Sequence, residues 1–539
     1  MHPMTPQAGH QRRPFRTLAR PLAVLATAWM LSGVASAGDT FWITVGDEAL
    51  QVLQSQSLAA SVQPLRTVTP ASNAQRGLTG GERVHLVKLT AAQMAQLSAG
   101  VHDTLKRCGG FVAHTTRADA DATLTALASG TAPKLAALTR PSYTIAQQTV
   151  VNGMLPQMQA TNIGQTITDM SSYANRYYTT TNGANAAGWL KNKWTTMTSG
   201  RSDIKVEAFT HSWKQTSVIL TITGTDAPSE IVVMGAHLDS INGSGTTEST
   251  IAPGADDDAS GIASLTEVIR VLVAGNYKPK RTLKFIGYSA EEVGLKGSAD
   301  IAAQHATQGA NVVGVMQLDM TNYQGSANDI YLYTDYTDAT QNDFVAKLIQ
   351  TYQPTLKIAY DKCGYGCSDH ASWNAKGYYT SMPFESAFSQ YNPKIHSSGD
   401  TYAAMGSQAN HSLKFAKLAL SYAVELGSGT GSGGGGTTTP QTQTFTGSLT
   451  LNQTKSFGPF KSAAGTAFTA KTTGTGDIDL YARKTSVPTT TTYDCKSDGS
   501  TSTESCSINV TATGDVYVLL KGYAAGNYSL TVNYATPKP

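Results

Sequence analysis

The sequence has little charge, because Asp, Glu, Lys and Arg make up 14% of its 539 residues, against about 25% in typical soluble domains. The 40 basic and 37 acidic residues nearly cancel, so the chain lacks the clustered positive charge that nucleic-acid binding requires. Low charge together with 50 glycines also excludes a highly charged disordered chain and a coiled-coil rod. A chain of this length is expected to fold as several domains.

Long apolar runs are also absent. The longest, residues 21–31, falls short of the roughly 20 residues that span a bilayer, which argues against a membrane anchor. It follows a basic stretch and precedes the small residues 34–37, so we predict that residues 1–37 are an export signal, cleaved after Ala37, and that the protein is secreted. The adjacent Arg12 and Arg13 leave the general and twin-arginine export routes both open.

Cysteine is scarce, with five residues in the chain. Cys363 with Cys367 and Cys495 with Cys506 form two close pairs, which suit short disulfide loops in an oxidising compartment. A zinc site built from Cys363 and Cys367 would need two further nearby cysteines, so a disulfide is preferred. Cys108 is left over, in a region that we predict is removed.

Composition divides the mature chain into four segments. Residues 38–140 mix strand-like runs with an Ala-rich helical stretch; they are either a propeptide or simply an N-terminal domain, and we predict a propeptide of α+β type. Residues 141–426 alternate apolar strands with amphipathic helices, which predicts an α/β domain with a mixed, mostly parallel central sheet flanked by helices. Residues 427–440 are Gly/Ser/Thr-rich and predict a linker, and residues 441–539 predict an all-β sandwich.

Five apolar runs in the 141–426 segment are predicted strands: residues 231–235, 282–288, 312–318, 330–333 and 378–384. Apolar residues at helical spacing predict helices that begin near Asp258, Gln341 and Ser412.

Polar residues follow the first three of these strands. They are His237 and Asp239, then Glu291 and Glu292, then Asp319, while Asp257 stands at a helix start and His396 follows a later turn. Any one of these residues alone is more often a helix cap, a core histidine or a solvated acid. The carboxyl ends of parallel strands share one edge, where such sheets bind ligands, so the joint placement predicts a functional site.

Carboxylates at this density repel one another unless a cation lies between them. Two imidazoles with three or more carboxylates suit zinc and suffice for two ions that share a bridging carboxylate. Adjacent residues after a strand point in different directions. One carboxylate of the Glu291–Glu292 pair can therefore bind metal while the other takes a proton from an activated water.

Several motifs in order carry a family resemblance. They are Gly235-Ala-His-Leu-Asp-Ser240, Pro253 to Gly261, Ala290-Glu-Glu-Val-Gly294, Gln317-Leu-Asp-Met320, Cys363 to His370, and Ile395-His396. Over these motifs the segment from about 141 to 427 resembles the secreted bacterial leucyl aminopeptidases, dizinc exopeptidases of clan MH with a zinc exopeptidase fold. The resemblance implies cleavage of peptides that have a free N-terminus, by a chain that is expected to be monomeric.

The resemblance also implies residue roles. Asp257 would bridge two zinc ions, one also held by His237 and Asp319 and the other by Glu292 and His396. Glu291 would be the general base, Tyr365 would stabilise the developing oxyanion, and Asp239 would orient the His237 imidazole.

A pocket for the first side chain of the substrate is implied as well, with the Cys363–Cys367 bridge holding the loop of Tyr365. Its walls would include Met320, Met382, Phe384, Phe388 and Ile395, with Tyr333 where the family has an aliphatic residue. Apolar walls predict a preference for Leu or another large hydrophobic residue. Residues 38–140 resemble the inhibitory propeptide of these enzymes, and residues 441–539 resemble the bacterial pre-peptidase C-terminal domain.

Other functions are less consistent with the sequence. Ser368, Asp369 and His370 are consecutive and cannot converge as a catalytic triad, and the chain has neither a Gly-x-Ser-x-Gly nor a His-Glu-x-x-His motif. A one-zinc enzyme that cyclises N-terminal glutamine, and a non-catalytic binding protein, are both disfavoured because the ligands for two ions and the base are all present.

Overall fold

The computed structural model describes residues 40–56, 59–70, 83–105, 107, 110–114, 116–129, 140–429, 438–463, 466–510 and 513–537. The predicted export signal and Cys108 lie outside these ranges. The described residues form an N-terminal unit, a central domain and a C-terminal domain, each with its own sheet or sheets. No helix in the described part of the chain is both long and apolar enough to cross a bilayer.

The N-terminal unit is a four-stranded antiparallel sheet covered by helices. Its strands are β1 (Thr40–Gly46), β2 (Arg66–Val68), β3 (Val84–Thr90) and β4 (Phe111–His114), in the order β2-β3-β1-β4. Its helices are α1 (Asp47–Ser55), α2 (Ala91–Gly100) and α3 (Arg117–Ser129), with a π-helical turn at Val101–Leu105 after α2. Thr90 caps α2 in a capping box with Gln93, which fixes where this helix begins.

The central domain contains an eight-stranded mixed sheet. Its strands are β5 (Ile204–Phe209), β6 (Ser217–Ile222), β7 (Ala227–His237), β8 (Arg281–Tyr288), β9 (Asn311–Gln317), β10 (Ile330–Tyr333), β11 (Ile358–Asp361) and β12 (Thr380–Phe384). The order is β11-β10-β12-β9-β7-β8-β6-β5. Strand β7 runs parallel to both neighbours, β8 and β9, and β12 runs parallel to β9, whereas β6 pairs antiparallel with both β5 and β8.

Helices cover both faces of this sheet. They are α4 (Gln148–Met154), α5 (Ala160–Ser171), α6 (Thr181–Met197), α7 (Ala259–Ala274), α8 (Lys296–Thr307), α9 (Ala339–Tyr352), α10 (His370–Ala375) and α11 (Asn410–Gly427). Val232 and Met234 of β7 pack with α5, α7 and α11, whereas Val233 packs on the other face with Ile301 of α8 and Trp373 of α10. This alternation follows from the two-residue repeat of a strand, and burial of both faces explains the continuous apolar run.

The C-terminal domain is a sandwich of two four-stranded antiparallel sheets, β13-β20-β15-β18 and β14-β19-β16-β17. Its strands are β13 (Thr438–Leu449), β14 (Thr454–Ser462), β15 (Thr466–Gly474), β16 (Asp477–Lys484), β17 (Cys495–Ser497), β18 (Glu504–Val510), β19 (Gly514–Ala524) and β20 (Gly526–Pro537). Both sheets contribute to one apolar core, which includes Phe460, Phe468 and Leu520. Asp477 and Asp479 stand at the start of β16.

The predicted elements agree closely with the observed ones. Residues 330–333 form β10 as predicted, and α7 begins directly after Asp258, whose side chain accepts from the backbone N–H of Gly261. The predicted strand 378–384 begins two residues later, at Thr380, because the N–H of Tyr378 still bonds to the carbonyl of Trp373 at the end of α10. Helix α11 ends at Gly427 and β13 begins at Thr438.

Gly235 of β7 lies where the side chains of Tyr288 and Gln317 leave no room for a Cβ atom. A Cβ at this position would lie 2.2 Å from the ring of Tyr288 and 2.8 Å from the side-chain oxygen of Gln317. The Tyr288 ring is buried, and its hydroxyl accepts from Trp373 Nε1 at 2.8 Å, so it cannot easily move aside.

We expect Gly235→Ala to destabilise the protein by about 1–3 kcal/mol, the usual cost of overpacking a core, with a lower melting temperature in thermal unfolding. Gly153→Ala is the matched control, because a Cβ there meets nothing within 4 Å; it should be neutral or slightly stabilising. Equal melting temperatures for the two variants would contradict the prediction.

Candidate metal centre

Five segments bring the predicted ligands to one edge of the central sheet. His237 is the last residue of β7, Glu291 and Glu292 follow β8, and Asp319 follows β9. These strands are parallel neighbours, so their carboxyl ends meet. Asp257 precedes α7 and His396 lies in the loop after β12, and all of these side chains are buried.

The carboxylate of Asp257 lies between two imidazoles. Its Oδ1 is 2.8 Å from His237 Nε2, and its Oδ2 is 2.9 Å from His396 Nε2. Each oxygen therefore faces a different histidine, which is the arrangement that a carboxylate bridging two cations requires.

Each imidazole also has a second carboxylate near it. Asp319 Oδ1 lies 3.6 Å from His237 Nε2, and Glu292 Oε2 lies 3.3 Å from His396 Nε2. The hydroxyl of Ser368 donates to the other oxygen of Asp319. The structure thus brings all five predicted metal ligands together in two overlapping groups that share Asp257.

Glu291 is placed differently from its neighbour. Both of its carboxylate oxygens are buried and have no hydrogen-bond partner among the described residues. Burial raises the pKa of Glu291 well above its usual value, and the charges of Asp319 and Glu292 raise it further, against the opposing effect of His237. A buried carboxylate with unused oxygens is suited to accept a proton.

Negative charge exceeds positive charge in this cluster, and the pKa values reflect it. Burial would lower the pKa of His396, but Glu292 and Asp257 raise it to about 10. Burial would raise the pKa of Asp257, but hydrogen bonds from His237 and His396 hold it below its usual range. The acids therefore favour positive charge on the imidazoles, and divalent cations would supply the same compensation while displacing those protons.

Asp239 supports the Glu291–Glu292 turn. Its two carboxylate oxygens accept from the backbone N–H groups of Glu291, at 3.0 Å, and Glu292, at 3.2 Å. His237 Nδ1 lies 3.1 Å from the backbone carbonyl oxygen of Asp239 and 3.6 Å from its carboxylate. The imidazole is thus oriented mainly by the backbone of Asp239, and the carboxylate fixes both glutamates.

Asp258 and Asp400 fix the backbone of the ligand loops. Asp258 accepts from the N–H of His237 at 2.9 Å, and Asp400 accepts from the N–H groups of Asp256 and Asp257 at 3.1 Å. The run Asp256 to Asp258 was visible in the sequence, but nothing near Asp400 in the chain distinguishes it from a surface acid.

Arg176 stabilises the backbone next to the ligands His237 and Asp257. Its guanidinium is fully buried and donates to the carbonyls of Leu238, Pro253 and Gly254. A single arginine far from the ligands in sequence carries no signal of this role.

The N-terminal unit contributes a further histidine to the centre. His102, in the π-helical turn, is fully buried, with Nε2 3.0 Å from Glu292 Oε2 and its ring centroid 4.2 Å from that of His396. His102, Glu292 and His396 form one of the groups whose potential ligand atoms lie within 4.8 Å of one another. Sequence reasoning missed His102 because no motif surrounds it.

An apolar cavity lies beside the ligand cluster. Its lining includes four predicted pocket residues, Met320, Met382, Phe384 and Phe388, and also Tyr333, Cys363, Tyr365, Cys367 and Tyr391. Ile395 packs in the same apolar cluster but is not among the lining residues. The predicted Cys363–Cys367 bond is present, with a Cα–Cα distance of 6.2 Å, and so is Cys495–Cys506, at 5.8 Å.

Two parts of the chain match known protein families. Residues 217–421 match the model of peptidase family M28, and residues 459–522 match the bacterial pre-peptidase C-terminal domain. The leucine aminopeptidase 1 of Coccidioides posadasii is 35% identical over 296 residues, which are 52% of this chain and 75% of that protein. The chain belongs to peptidase family M28.

Solved structures agree with the M28 assignment. The LapA aminopeptidase of Legionella pneumophila is 32% identical, with a TM-score of 0.56, and the match covers 73% of this chain and all of LapA. LapB of the same organism is 28% identical, with a TM-score of 0.58 and 72% of this chain covered. The predicted family, the hydrolase class and the fold, including the C-terminal all-β domain, are confirmed.

The contacts of Asp239 in this M28 peptidase give a prediction. In Asp239→Asn the amide nitrogen would face one of the two backbone N–H groups that the carboxylate now accepts, so the glutamate turn should shift. We expect zinc affinity to fall by about 10–100-fold, as for other supporting groups of metal ligands, measured by competition with a chelator.

Asp226→Asn is the control for this measurement. Asp226 is exposed and lies 3.8 Å from Lys280, so this variant should bind zinc as the unmodified chain does. Unchanged affinity in Asp239→Asn would show that the two hydrogen bonds do not position the ligands.

Proposed function

We propose that this M28 peptidase is a secreted, zinc-dependent aminopeptidase that removes an N-terminal Leu or another large hydrophobic residue from peptides, with Glu291 as general base. The observation that carries the proposal is the carboxylate of Asp257 between His237 and His396, beside the unpartnered oxygens of Glu291. The names of the leucine aminopeptidase relatives support the same activity.

Two zinc ions fit the ligands. His237 and Asp319 would hold one ion, His396 and Glu292 would hold the other, and Asp257 would be shared. Imidazole nitrogen and carboxylate oxygen are ordinary zinc ligands, and the buried excess of acid provides the charge that two cations would balance.

Zinc, when bound, acts as a Lewis acid that polarises a carbonyl group and lowers the pKa of a coordinated water. Glu291 would accept a proton from the attacking water as the C–O bond forms, because neither of its buried carboxylate oxygens has a hydrogen-bond partner among the described residues. It then delivers this proton to the amine nitrogen as the C–N bond breaks. The hydroxyl of Tyr365, buried beside the cavity, would donate to the carbonyl oxygen as its negative charge develops.

The cavity gives the expected side-chain preference. Its lining consists of aromatic rings, methionines and the cystine, with no charged residue. A charged side chain placed there would lose its hydration without compensation, whereas Leu would bury apolar surface. The N-terminal residue is therefore expected to be Leu or similarly large and apolar.

The outer segments complete the proposal. Residues 1–37 would direct export, and residues 38–140 would be a propeptide that covers the site until it is removed. Ser98 of the N-terminal unit donates to the Glu292 carbonyl at 2.8 Å, and the guanidinium of Arg107 lies 5.3 Å from the ring centroid of Tyr365 and 5.8 Å from that of Phe388. These contacts support a masking role. The predicted linker, residues 427–440, would join the catalytic domain to the sandwich, with Gly427 at the end of α11 and residues 438–440 already in β13.

The base is tested by Glu291→Gln, made in the chain freed of residues 1–140. Gln has nearly the same size but cannot accept the proton, so kcat should fall by about 10²–10⁴-fold while the fold and the content of two zinc ions stay unchanged. Glu207→Gln, at an exposed residue of β5, is the control and should keep its rate. Near-normal turnover in Glu291→Gln would remove Glu291 from the mechanism.

The substrate class is tested with a panel of aminoacyl chromogenic amides. The processed chain should hydrolyse leucyl and other large apolar derivatives fastest and charged ones slowest. Chelation should abolish hydrolysis and added zinc should restore it. Ammonia release from N-terminal glutamine without amide hydrolysis would instead favour cyclisation, and unchanged rates after chelation would contradict the role of zinc.

A further inference from the structure

We propose that, in the uncut chain, His102 of the N-terminal unit is a direct ligand of the metal ion held by His396 and Glu292. The inference rests on the proposed function, because it concerns how that zinc site is kept latent. It assigns a residue of the removable segment to the metal centre, so that removal of the segment opens a coordination position.

The hydrogen bond on the far side of the ring defines which nitrogen faces the site. His102 Nδ1 lies 2.6 Å from the carbonyl oxygen of Ser98, and a carbonyl can only accept, so Nδ1 carries a proton. In the neutral imidazole Nε2 then has a lone pair directed at Glu292 Oε2, 3.0 Å away. A backbone carbonyl bound to the opposite nitrogen is the usual setting of a metal-binding histidine.

One metal ion placed beside His102 Nε2 and Glu292 Oε2 could be bound by both atoms, and the ligand atoms of His102, Glu292 and His396 lie within 4.8 Å of one another. Two imidazole nitrogens and one carboxylate oxygen are a ligand set that zinc accepts. The alternative, a second proton on His102, is an outcome of the test below.

The turn that carries His102 is fitted closely to the central domain. A Cβ on Gly243 would lie 3.1 Å from Asp103 N and 3.3 Å from His102 Cβ, and the N–H of Gly243 donates to the carbonyl of His396 at 2.9 Å. Gly243 therefore contacts His102 and is also hydrogen-bonded to His396, whose imidazole lies next to that of His102.

Other contacts fix the N-terminal unit next to this turn. Gly294 follows the two glutamates, and a Cβ there would lie 2.4 Å from the ring of Phe111. Its carbonyl accepts from the N–H of Ala113 at 3.3 Å, and Asp119 pairs with Lys376 at 3.0 Å. These contacts hold the N-terminal unit against the central domain and do not involve the His102 side chain. We therefore expect the unit to stay docked when His102 is replaced.

The same segment therefore occupies both parts of the site. His102 takes a coordination position, and Arg107 lies over the rings of Tyr365 and Phe388 at the pocket. Cleavage and release of the N-terminal unit would free both positions together.

The test compares uncut and cut chains, both without residues 1–37 and loaded with zinc. A specific protease site placed within residues 130–139 would allow the cut. X-ray absorption at the zinc edge counts the imidazoles bound to the metal. The uncut chain should show a third imidazole besides His237 and His396, and the cut chain after release of the unit should have lost it.

His102→Gln and His102→Ala supply the direct comparison. Both uncut variants should lack the third imidazole and lose one zinc ion to a chelator about 10–100-fold more readily than the unmodified uncut chain. His85→Gln is the matched control, since His85 is buried in the same unit and bonds to Thr67 and Asp47. It should keep the third imidazole.

An unchanged imidazole count in the His102 variants, or equal counts in the cut and uncut chains, would overturn the inference and favour a protonated His102 that binds Glu292 alone. If the counts differ as expected but the cut chain hydrolyses no aminoacyl amide, then the proposed function fails while the ligand role of His102 stands. The cut and uncut comparison needs no substitution and so remains decisive even if a variant fails to fold.

Discussion

Electrostatic repulsion among buried carboxylates is the constraint on which the rest of this structure depends. Asp257, Glu291, Glu292 and Asp319 all have 1% exposure or less, and each would lose most of its hydration. The parallel arrangement of β7, β8 and β9 brings Glu291, Glu292 and Asp319 to one edge, and the turn before α7 places Asp257 next to His237 at that edge. Positive charge is needed at this edge to offset the repulsion, and the imidazoles provide nitrogen ligands, which favour zinc over calcium or magnesium.

The different roles proposed for the buried carboxylates follow from the side chains that each of them faces. Asp257 faces two histidines, Glu292 faces His396, and Glu291 faces no hydrogen-bond donor within the described ranges. The two adjacent glutamates can therefore have different roles, because Glu292 is directed at an imidazole whereas the oxygens of Glu291 accept no hydrogen bond from the described residues. In the N-terminal unit, His102 approaches the acid that is paired with His396 and not the proposed base.

Local patterns were sufficient to predict much of this. Strand β10 and the start of α7 are specified by apolar runs and by an Asp cap. The polar residues after parallel strands indicate a functional site, and the roles of the individual ligands are those that the family resemblance implies. The roles of Arg176 and Asp400 could not be predicted, because they act through backbone groups brought near by folding. His102 is separated from Glu292 by 190 positions, and only docking of two separately built units brings them together.

Arg176 has a consequence for the order of assembly. Its guanidinium binds the carbonyls on either side of the ligand loop, and an arginine keeps its charge at any physiological pH. The loop is thus shaped by a permanent internal counter-ion and by an extensive apolar core, both independent of metal. In small zinc-stabilised domains the ion itself drives folding. In this chain the binding site can form before any metal is bound, so the metal-free protein is expected to fold and to take up its ions afterwards.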